Sequence, residues 1–372
     1  MEIIPIRIAH IVGKWLGGGV EAVLMNYYRN IDRSIIQFDF ICDNDSTDIP
    51  YNEIEKLGGR IYEITPYQHL SKYINDLYDI FKENDYKIVH SHINTLSVFP
   101  LYAAKKAGVP IRIAHSHSTT NRKEFKRNIL KQILRPFSKI NATNYMACSD
   151  YAGKWLFGTK KSKCSEVFLM NNGIDLKRFR FNEDIRNIYR RKLKISDDTL
   201  VVGHVGRFVE QKNHEFIINI FCKLLEKEPK SLLILLGKGP LQDHVKELAI
   251  KKNIVNQIIF LGQQEKVNNY YMIMDVFILP SLYEGFGLVA LEAQASGLPV
   301  IVSENVPLEV NITNEVKFLS LNSEPEIWAD MILTFRSLKR NNTINNFDYD
   351  IKENATRLQR KYLELIEKMV NL

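Results

Sequence analysis

Two glutamates, Glu284 and Glu292, stand eight positions apart around Gly285-Phe286-Gly287 in LPSLYEGFGLVALEAQASGLPVIVSE, residues 279–304. Gly287 and Leu288 open a helix, so the backbone N–H groups at 286 to 288 would point from its N-terminus towards an anion. The glycines at 285 and 287 let a phosphate approach the main chain closely. Either carboxylate would repel a phosphate that it faced, so both suit neutral hydroxyls on the two sides of it. A diphosphate with a sugar at each end fits that arrangement. An arbitrary pair of glutamates at this spacing is usually a cap and a surface residue; the glycine turn between strand and helix shifts the reading towards function. Arg207 and Lys212, in GRFVEQKN (206–213), follow another strand and read by themselves as a solvated basic loop.

Other constellations compete. Gly17-Gly18-Gly19 follows the first strand and, with Ala22, matches the dinucleotide fingerprint, while Asp43 ends the second strand at about the expected distance. That predicts an NAD-dependent oxidoreductase on local grounds and leaves the phosphate apparatus of the second half unexplained. His90/His92 and His115/His117 end two strands that look adjacent. Alternate strand residues share a face, so each pair could grip a metal ion as in metal-dependent hydrolases. The missing carboxylate ligands argue against it, as does the ordinary fate of strand histidines, which is packing with a hydrogen bond. Asp43-Asn44-Asp45 and Asp348-Tyr349-Asp350 imitate a metal-binding DxD but lie in polar, turn-like surroundings. No metal site is expected.

These residues need strands and turns to position them. In the first half β-branched runs at 6–12, 38–42, 60–64, 87–92, 111–117 and 144–149 alternate with amphipathic segments such as YINDLYDIFKEN. After a charged break at 179–198 the alternation resumes, with runs at 200–208, 231–237, 258–262, 276–281 and 299–304. Strands alternating with helices predict parallel sheets, here two doubly wound α/β domains with a cleft between them. Ligands bind beyond the carboxyl ends of such strands. The tail, NATRLQRKYLELIEKMV, is one amphipathic helix, and 340–350 is polar enough to link it to the rest.

At 372 residues, 45% apolar and 25% charged, the chain has room for two cores and excludes a disordered or fibrous class. Cys42, Cys148, Cys164 and Cys222 show no CxxC spacing, which predicts reduced thiols rather than a disulfide framework or structural zinc. No apolar run approaches the roughly 20 residues of a membrane span, and MEIIPIRIAHIV reads as a strand rather than a signal peptide, so a cytoplasmic location is expected. The net charge is +7, and between Lys105 and Lys163 there are 14 Lys or Arg against two acids. In 121–140, NRKEFKRNILKQILRPFSKI, the apolar residues Phe125, Ile129, Ile133 and Phe137 repeat at spacing four. A surface helix packed on the sheet accounts for that stripe, and the excess charge suits an anionic membrane surface. Nucleic acid is not expected, because no recognised module or aromatic-interleaved basic face is present.

EGFGLVALEA resembles the E-x7-E signature of retaining glycosyltransferases of family 4. The resemblance extends through the glycine turn at 17–19, NGID at 172–175, GRFVEQKN, GKGP at 237–240 and the final helix. AHIVGKWLGGGVEAVLMNYYRNIDRSIIQFDFIC and RIAHSHST look most similar to the branch that builds bacterial exopolysaccharides and capsules. The resemblance implies the GT-B fold: two Rossmann-like domains facing a cleft, at 1–176 for the acceptor and 177–350 for the nucleotide-sugar donor. A helix at 351–372 crosses back to the first domain.

It also implies roles. Arg207 and Lys212 contact the donor diphosphate, and Glu284 holds the donor sugar's hydroxyls. Phe286, Gly287 and Leu288 bind sugar and phosphate through backbone N–H groups, and Glu292 binds the ribose. Gly237, Gly239, Leu261 and Gly262 shape the base pocket, and Gly18 and Gly19 approach the diphosphate. His117, with His115 as the alternative, reaches the donor sugar. The implied reaction is metal-independent, needs no cofactor, uses a UDP-linked sugar as donor, and has an acceptor saccharide on undecaprenyl diphosphate at the inner face of the membrane.

Overall fold

The computed structural model describes residues 4–117, 132–158, 167–313, 315–336, 338, 340 and 347–371. It forms two compact units, Met1–Asp175 with Phe347–Leu372, and Leu176–Asn346. In the first, β1 (Ile6–Gly13), β2 (Ile36–Asp43), β3 (Arg60–Ile64), β4 (Ile88–Ser91), β5 (Ile111–Ser116), β6 (Asn144–Ala147) and β7 (Val167–Leu169) lie in the order β3-β2-β1-β4-β5-β6-β7. In the second, β8 (Leu200–Val205), β9 (Ser231–Leu236), β10 (Ile258–Gly262), β11 (Val276–Leu279), β12 (Val300–Ser303) and β13 (Lys317–Leu319) lie in the order β10-β9-β8-β11-β12-β13. Every strand pair is parallel.

Each sheet reverses its strand order once, between β1 and β4 and between β8 and β11. Loops that leave neighbouring strands there diverge to opposite faces, which opens a crevice at the carboxyl ends. The turn at 13–19 and His92, just after β4, belong to the first reversal. The segments 206–213 and 280–287 belong to the second.

Alternation along the strands sorts the first core. Ala9, Ile11, Ile41, Val89 and Ala114 pack on one face with Tyr73, Leu77, Phe81, Leu101 and Leu156 from the covering helices. The opposite face carries His10, Phe38, Phe40 and His90, in ring contact with Tyr28 of the helix Gly19–Asn30 and Tyr362 of the helix Ile351–Val370. That last helix buries Ile351, Ala355, Leu358, Tyr362 and Leu365, a spacing of three and four that makes one apolar stripe. Asp350 caps it by accepting from the Lys352 N–H at 2.8 Å.

The structure departs from the sequence expectations locally. The break at 179–198 contains a helix, Glu183–Lys192, capped by Asn182. Residues 347–350 join the first unit rather than the second: Ile174 N–H donates to Tyr349 O at 2.9 Å, and Asn354 donates to Asp348 O at 2.7 Å. Of the basic segment 121–140, residues 121–131 lie outside the described residues. In the described part Ile133, Phe137 and Ile140 are exposed, so packing on the sheet does not account for the apolar stripe there. Among the described residues Cys42, Cys148 and Cys222 form no disulfide, and Cys164 lies outside them. Among the described residues no helix is long and apolar enough to cross a membrane.

Candidate active site

At the second reversal, three loops are stitched together by their backbones. Gly206 N–H donates to Leu236 O, Phe208 N–H to Lys238 O and Gly237 N–H to Gly262 O, at 2.9, 3.0 and 2.9 Å. A Cβ on Gly237, whose φ is +135°, would lie 2.0 Å from Gly206 O. One on Gly239 would lie 2.5 Å from Phe208 O. The close approach of these loops therefore requires both glycines. Leu261 O accepts from Gln264 Nε2 at 2.6 Å, and Gly262 has open space at the β-carbon position.

Across the reversal, β11 runs into 280–287. Gly287, at φ +93°, is the cap residue of the helix Leu288–Ala295. A left-handed cap suits glycine, and the first N–H groups of the helix have no intrahelical acceptor. Phe286 is buried beneath the turn. Glu284 lies against Lys212, with Oε1 at 2.5 Å from Nζ. Ser281 Oγ donates to the same oxygen at 2.7 Å, and Gln211 Nε2 approaches Oε2 at 3.4 Å. The loops are tied again by Leu282 N–H to Gln211 O at 2.8 Å and Asn213 Nδ2 to Pro280 O at 3.2 Å. The lysine stem runs over Gly206, where a Cβ would be 3.2 Å from Lys212 Cε. Among the described residues the Arg207 guanidinium makes no hydrogen bond or ion pair.

Glu292 stands about one turn into the helix and accepts from Tyr271 Oη at 2.8 Å. Burial pushes its carboxyl up to about 7; the tyrosine hydrogen bond, Arg178 and Lys212 pull the other way. The unit thus holds a lysine–glutamate pair, a helix N-terminus and a second carboxylate that is partly protonated at neutral pH. Tyr271, Ser281 and Gln211 were not among the residues singled out in the sequence. Ser281 stands three residues before Glu284 and Gln211 beside Lys212, so local spacing carried a signal for those two; nothing local marks Tyr271.

In the first unit, Gly17 has φ +65°, and Gly18 is the cap residue of the helix Gly19–Asn30. A Cβ on Gly18 would meet Glu21 Oε2 at 2.9 Å, while Glu21 Oε1 accepts from Leu16 N–H at 3.0 Å. Asp43 is buried at the end of β2, where desolvation, reinforced by Asp45 and opposed by Lys14, pushes its carboxyl up to about 6. The two imitations of DxD serve the fold: Asp45 pairs with Lys14 at 2.6 Å, and Asp350 caps a helix.

His117 is buried, with Nε2 at 2.8 Å from His92 Nδ1 and its backbone N–H donating to Asn94 Oδ1 at 2.7 Å. His115 Nδ1 is 3.0 Å from His90 Nε2. Both ring nitrogens of His90 and of His92 are engaged by other side chains. Two buried triplets, His10/His90/His92 and His92/His115/His117, each bring a nitrogen within 4.8 Å of the others, and neither includes a carboxylate. The metal-gripping alternative for the first HxH pair thus meets rings already committed to neighbours.

Two parallel-sheet Rossmann-like domains, the second with a charged pair beside a glycine-capped helix at its strand reversal, make up the GT-B fold. The model of glycosyl transferases group 1 matches residues 185–356, and that of glycosyltransferase family 4 matches 17–178. EpsF of Bacillus subtilis (strain 168), which carries a glycosyltransferase name, is 34% identical over 96% of each chain. The UDP-Gal:alpha-D-GlcNAc-diphosphoundecaprenol alpha-1,3-galactosyltransferase of Escherichia coli is 25% identical over 97% of each. The crystal structure of Anabaena HepE in complex with UDP-glucose has the same fold, with a TM-score of 0.74 and 18% identity over 98% of this chain and 100% of that one. The chain belongs to glycosyltransferase family 4, so it is neither the oxidoreductase nor the hydrolase that its local motifs also suggest.

Proposed function

We propose that the chain transfers a sugar, with retention of anomeric configuration and without a metal ion, from a UDP-linked donor to a saccharide on a lipid diphosphate in exopolysaccharide or capsule synthesis. The observation that carries this reading is the Lys212–Glu284 pair beside the glycine-capped helix. A departing UDP develops charge on its diphosphate. Fixed donors that face that charge, here Lys212, Arg207 and the N–H groups at 286 to 288, stabilise it more than they stabilise the bound donor. Glu284, held in place by Ser281 and Gln211, is the acceptor for sugar hydroxyls. Glu292 is the acceptor for the ribose, Gly237, Gly239, Leu261 and Gly262 border the base, and Gly18 and Gly19 border the diphosphate. His117, rather than His115, touches the sugar. Both carboxylates on this reading bind hydroxyls, so the acceptor hydroxyl enters on the face that the diphosphate leaves and a phosphate oxygen takes its proton.

The UDP in the HepE complexes and the lipid diphosphate in the name of the Escherichia coli relative support the donor and acceptor classes. Exposed Ile133, Phe137 and Ile140, in a chain segment rich in Lys and Arg, support peripheral binding at an anionic membrane face. One assay tests the whole proposal: UDP-sugars with an undecaprenyl-diphosphate-linked saccharide in phosphatidylglycerol or phosphatidylcholine vesicles, with and without EDTA. The expected result is a product with the donor's anomeric configuration by NMR, formed faster on the anionic vesicles and unaffected by EDTA. An inverted product contradicts the mechanism, loss in EDTA contradicts metal independence, and equal rates on both vesicles contradict the membrane role.

Glu292 adds a pH test. Its carboxyl is raised from 4.5 to about 7, so the free protein gains the ionised form as pH rises from 6 to 8. An ionised carboxylate is the better acceptor for ribose hydroxyls. UDP-glucose, whose diphosphate does not titrate in this range, is expected to bind about tenfold more tightly at pH 8 than at pH 6 by linkage. In Glu292→Gln that dependence should vanish in calorimetric titrations. A flat profile in the unsubstituted protein removes Glu292 from the donor contacts.

A further inference from the structure

Five histidines crowd one face of the first sheet, and the proposed reaction uses one of them. Parallel register sets His10 beside His90, and Ser91 beside Ala114, so that His92 reaches the level of His115. The rings form two hydrogen-bonded files. In one, His10 Nδ1 lies 2.9 Å from His92 Nε2, and His92 Nδ1 lies 2.8 Å from His117 Nε2. In the other, Tyr362 Oη lies 2.7 Å from His90 Nδ1, and His90 Nε2 lies 3.0 Å from His115 Nδ1. No ring of the five is more than 6% exposed.

Burial lowers the pKa of His10 and His117 to about 3 and that of His92 well below its ordinary value, so all three rings of the first file are neutral. A neutral imidazole has one N–H and one lone pair. His92 must then donate on one side and accept on the other, and both hydrogen bonds run in the same direction. His117 Nε2 is committed to His92 either way, which leaves Nδ1 to meet a ligand. The direction is decided at the far end. His10 Nε2 is buried without a hydrogen-bond partner. A buried N–H without an acceptor is rarer than an unsatisfied lone pair, so the hydrogen of His10 belongs on Nδ1. The file then reads His10 Nδ1–H to His92 Nε2, His92 Nδ1–H to His117 Nε2, and leaves His117 with Nδ1–H.

We propose that His10, acting through His92, fixes His117 as a hydrogen-bond donor at Nδ1, towards an oxygen of the sugar substrate, and so excludes it as a proton acceptor there. His10 and His92 are positioning residues on this account, which rests on the reading of His117 as a substrate contact. The experiment is ¹⁵N NMR of the full chain with ¹⁵N-histidine, each ring assigned by single substitution, together with kinetics of His10 variants. The expected spectrum has His10, His92 and His117 all in the Nδ1–H form between pH 6 and 8. Nε2–H at these three rings, or an average of the two forms, overturns the proposal without touching the transferase reading. His10→Asn, which can offer an N–H near the position of Nδ1, should retain kcat, and His10→Leu should lose about tenfold in kcat with KM for the donor unchanged. Equal kcat in both variants overturns the positioning role. Full turnover by His117→Ala also overturns it, by removing the substrate contact and with it that part of the functional reading, whatever tautomers the spectrum shows.

Discussion

Lys212→Ala should lower kcat by about 10²–10³ with little change in KM for the donor, because the charge it opposes grows as the diphosphate leaves. The pairing with Glu284 raises a rival account, in which Lys212 only holds that carboxylate in place. The two separate in a double-mutant cycle. If Lys212 acts only through Glu284, Lys212→Ala and Glu284→Gln should cost the same, and the double variant should be no worse than either. If Lys212 faces the leaving group, its loss should exceed that of Glu284→Gln, and Lys212→Arg should restore part of it by returning the charge. Arg207→Ala is the cleaner companion. Among the described residues its guanidinium has no partner to strand, so the same fall in kcat should come with an unchanged Tm. Full turnover in Lys212→Ala removes the residue from the mechanism.

Acid should unfold the first unit well above the pH at which its carboxylates are lost. His10, His90, His92, His115 and His117 are held neutral by burial, two of them with pKa near 3 and the others well below 6.5. The unfolded chain protonates these rings near pH 6.5 while the folded unit does not, so below that pH the unfolded state binds more protons and stability falls as pH falls. Between pH 7.5 and 5.5 each ring costs about 1.4 kcal/mol, and five cost about 7 kcal/mol, comparable with the whole stability of a domain. Asp43, raised to about 6, pushes the other way by about 1 kcal/mol over the same interval. The second unit carries two such histidines, His204 and His214, and Glu292 opposes them there. Calorimetric melts should therefore resolve a transition whose Tm drops steeply from pH 7.5 to 5.5, and a second that moves less. A single Tm that stays flat over that range contradicts the neutral histidine cluster.

What could be read from the sequence is what short-range chemistry writes there. The E-x7-E block, the glycine turn and the loop at 206–213 each combine a strand end, a turn and a helix start within about a dozen residues. The parallel architecture follows from alternating apolar runs, although β7 and β13, three residues each, are too short to make a pattern. Contacts between distant segments leave no local trace. Tyr271 is 21 residues from the glutamate it supports, and Tyr362 is 272 from the histidine it touches. The end of the second unit was misplaced by a few residues because Ile174 and Tyr349 pair across 175 positions of chain. Gly237 and Gly239 look like ligand contacts in sequence, yet the neighbouring loop already requires them. Four of the five histidines read as two HxH pairs along the chain, with His10 apart from them, and only the sheet register turns all five into files that cross the strands.

On the proposed function, the second unit's turn binds a nucleoside diphosphate. Titration with UDP, GDP, ADP and NAD, followed by thermal shift in the unsubstituted chain and in Arg207→Ala, tests it most directly. Stabilisation by UDP, a smaller shift in Arg207→Ala and no response to NAD are expected. A shift with NAD alone, unchanged in Arg207→Ala, would move the ligand site to Gly17–Gly19 and Asp43 and contradict the account.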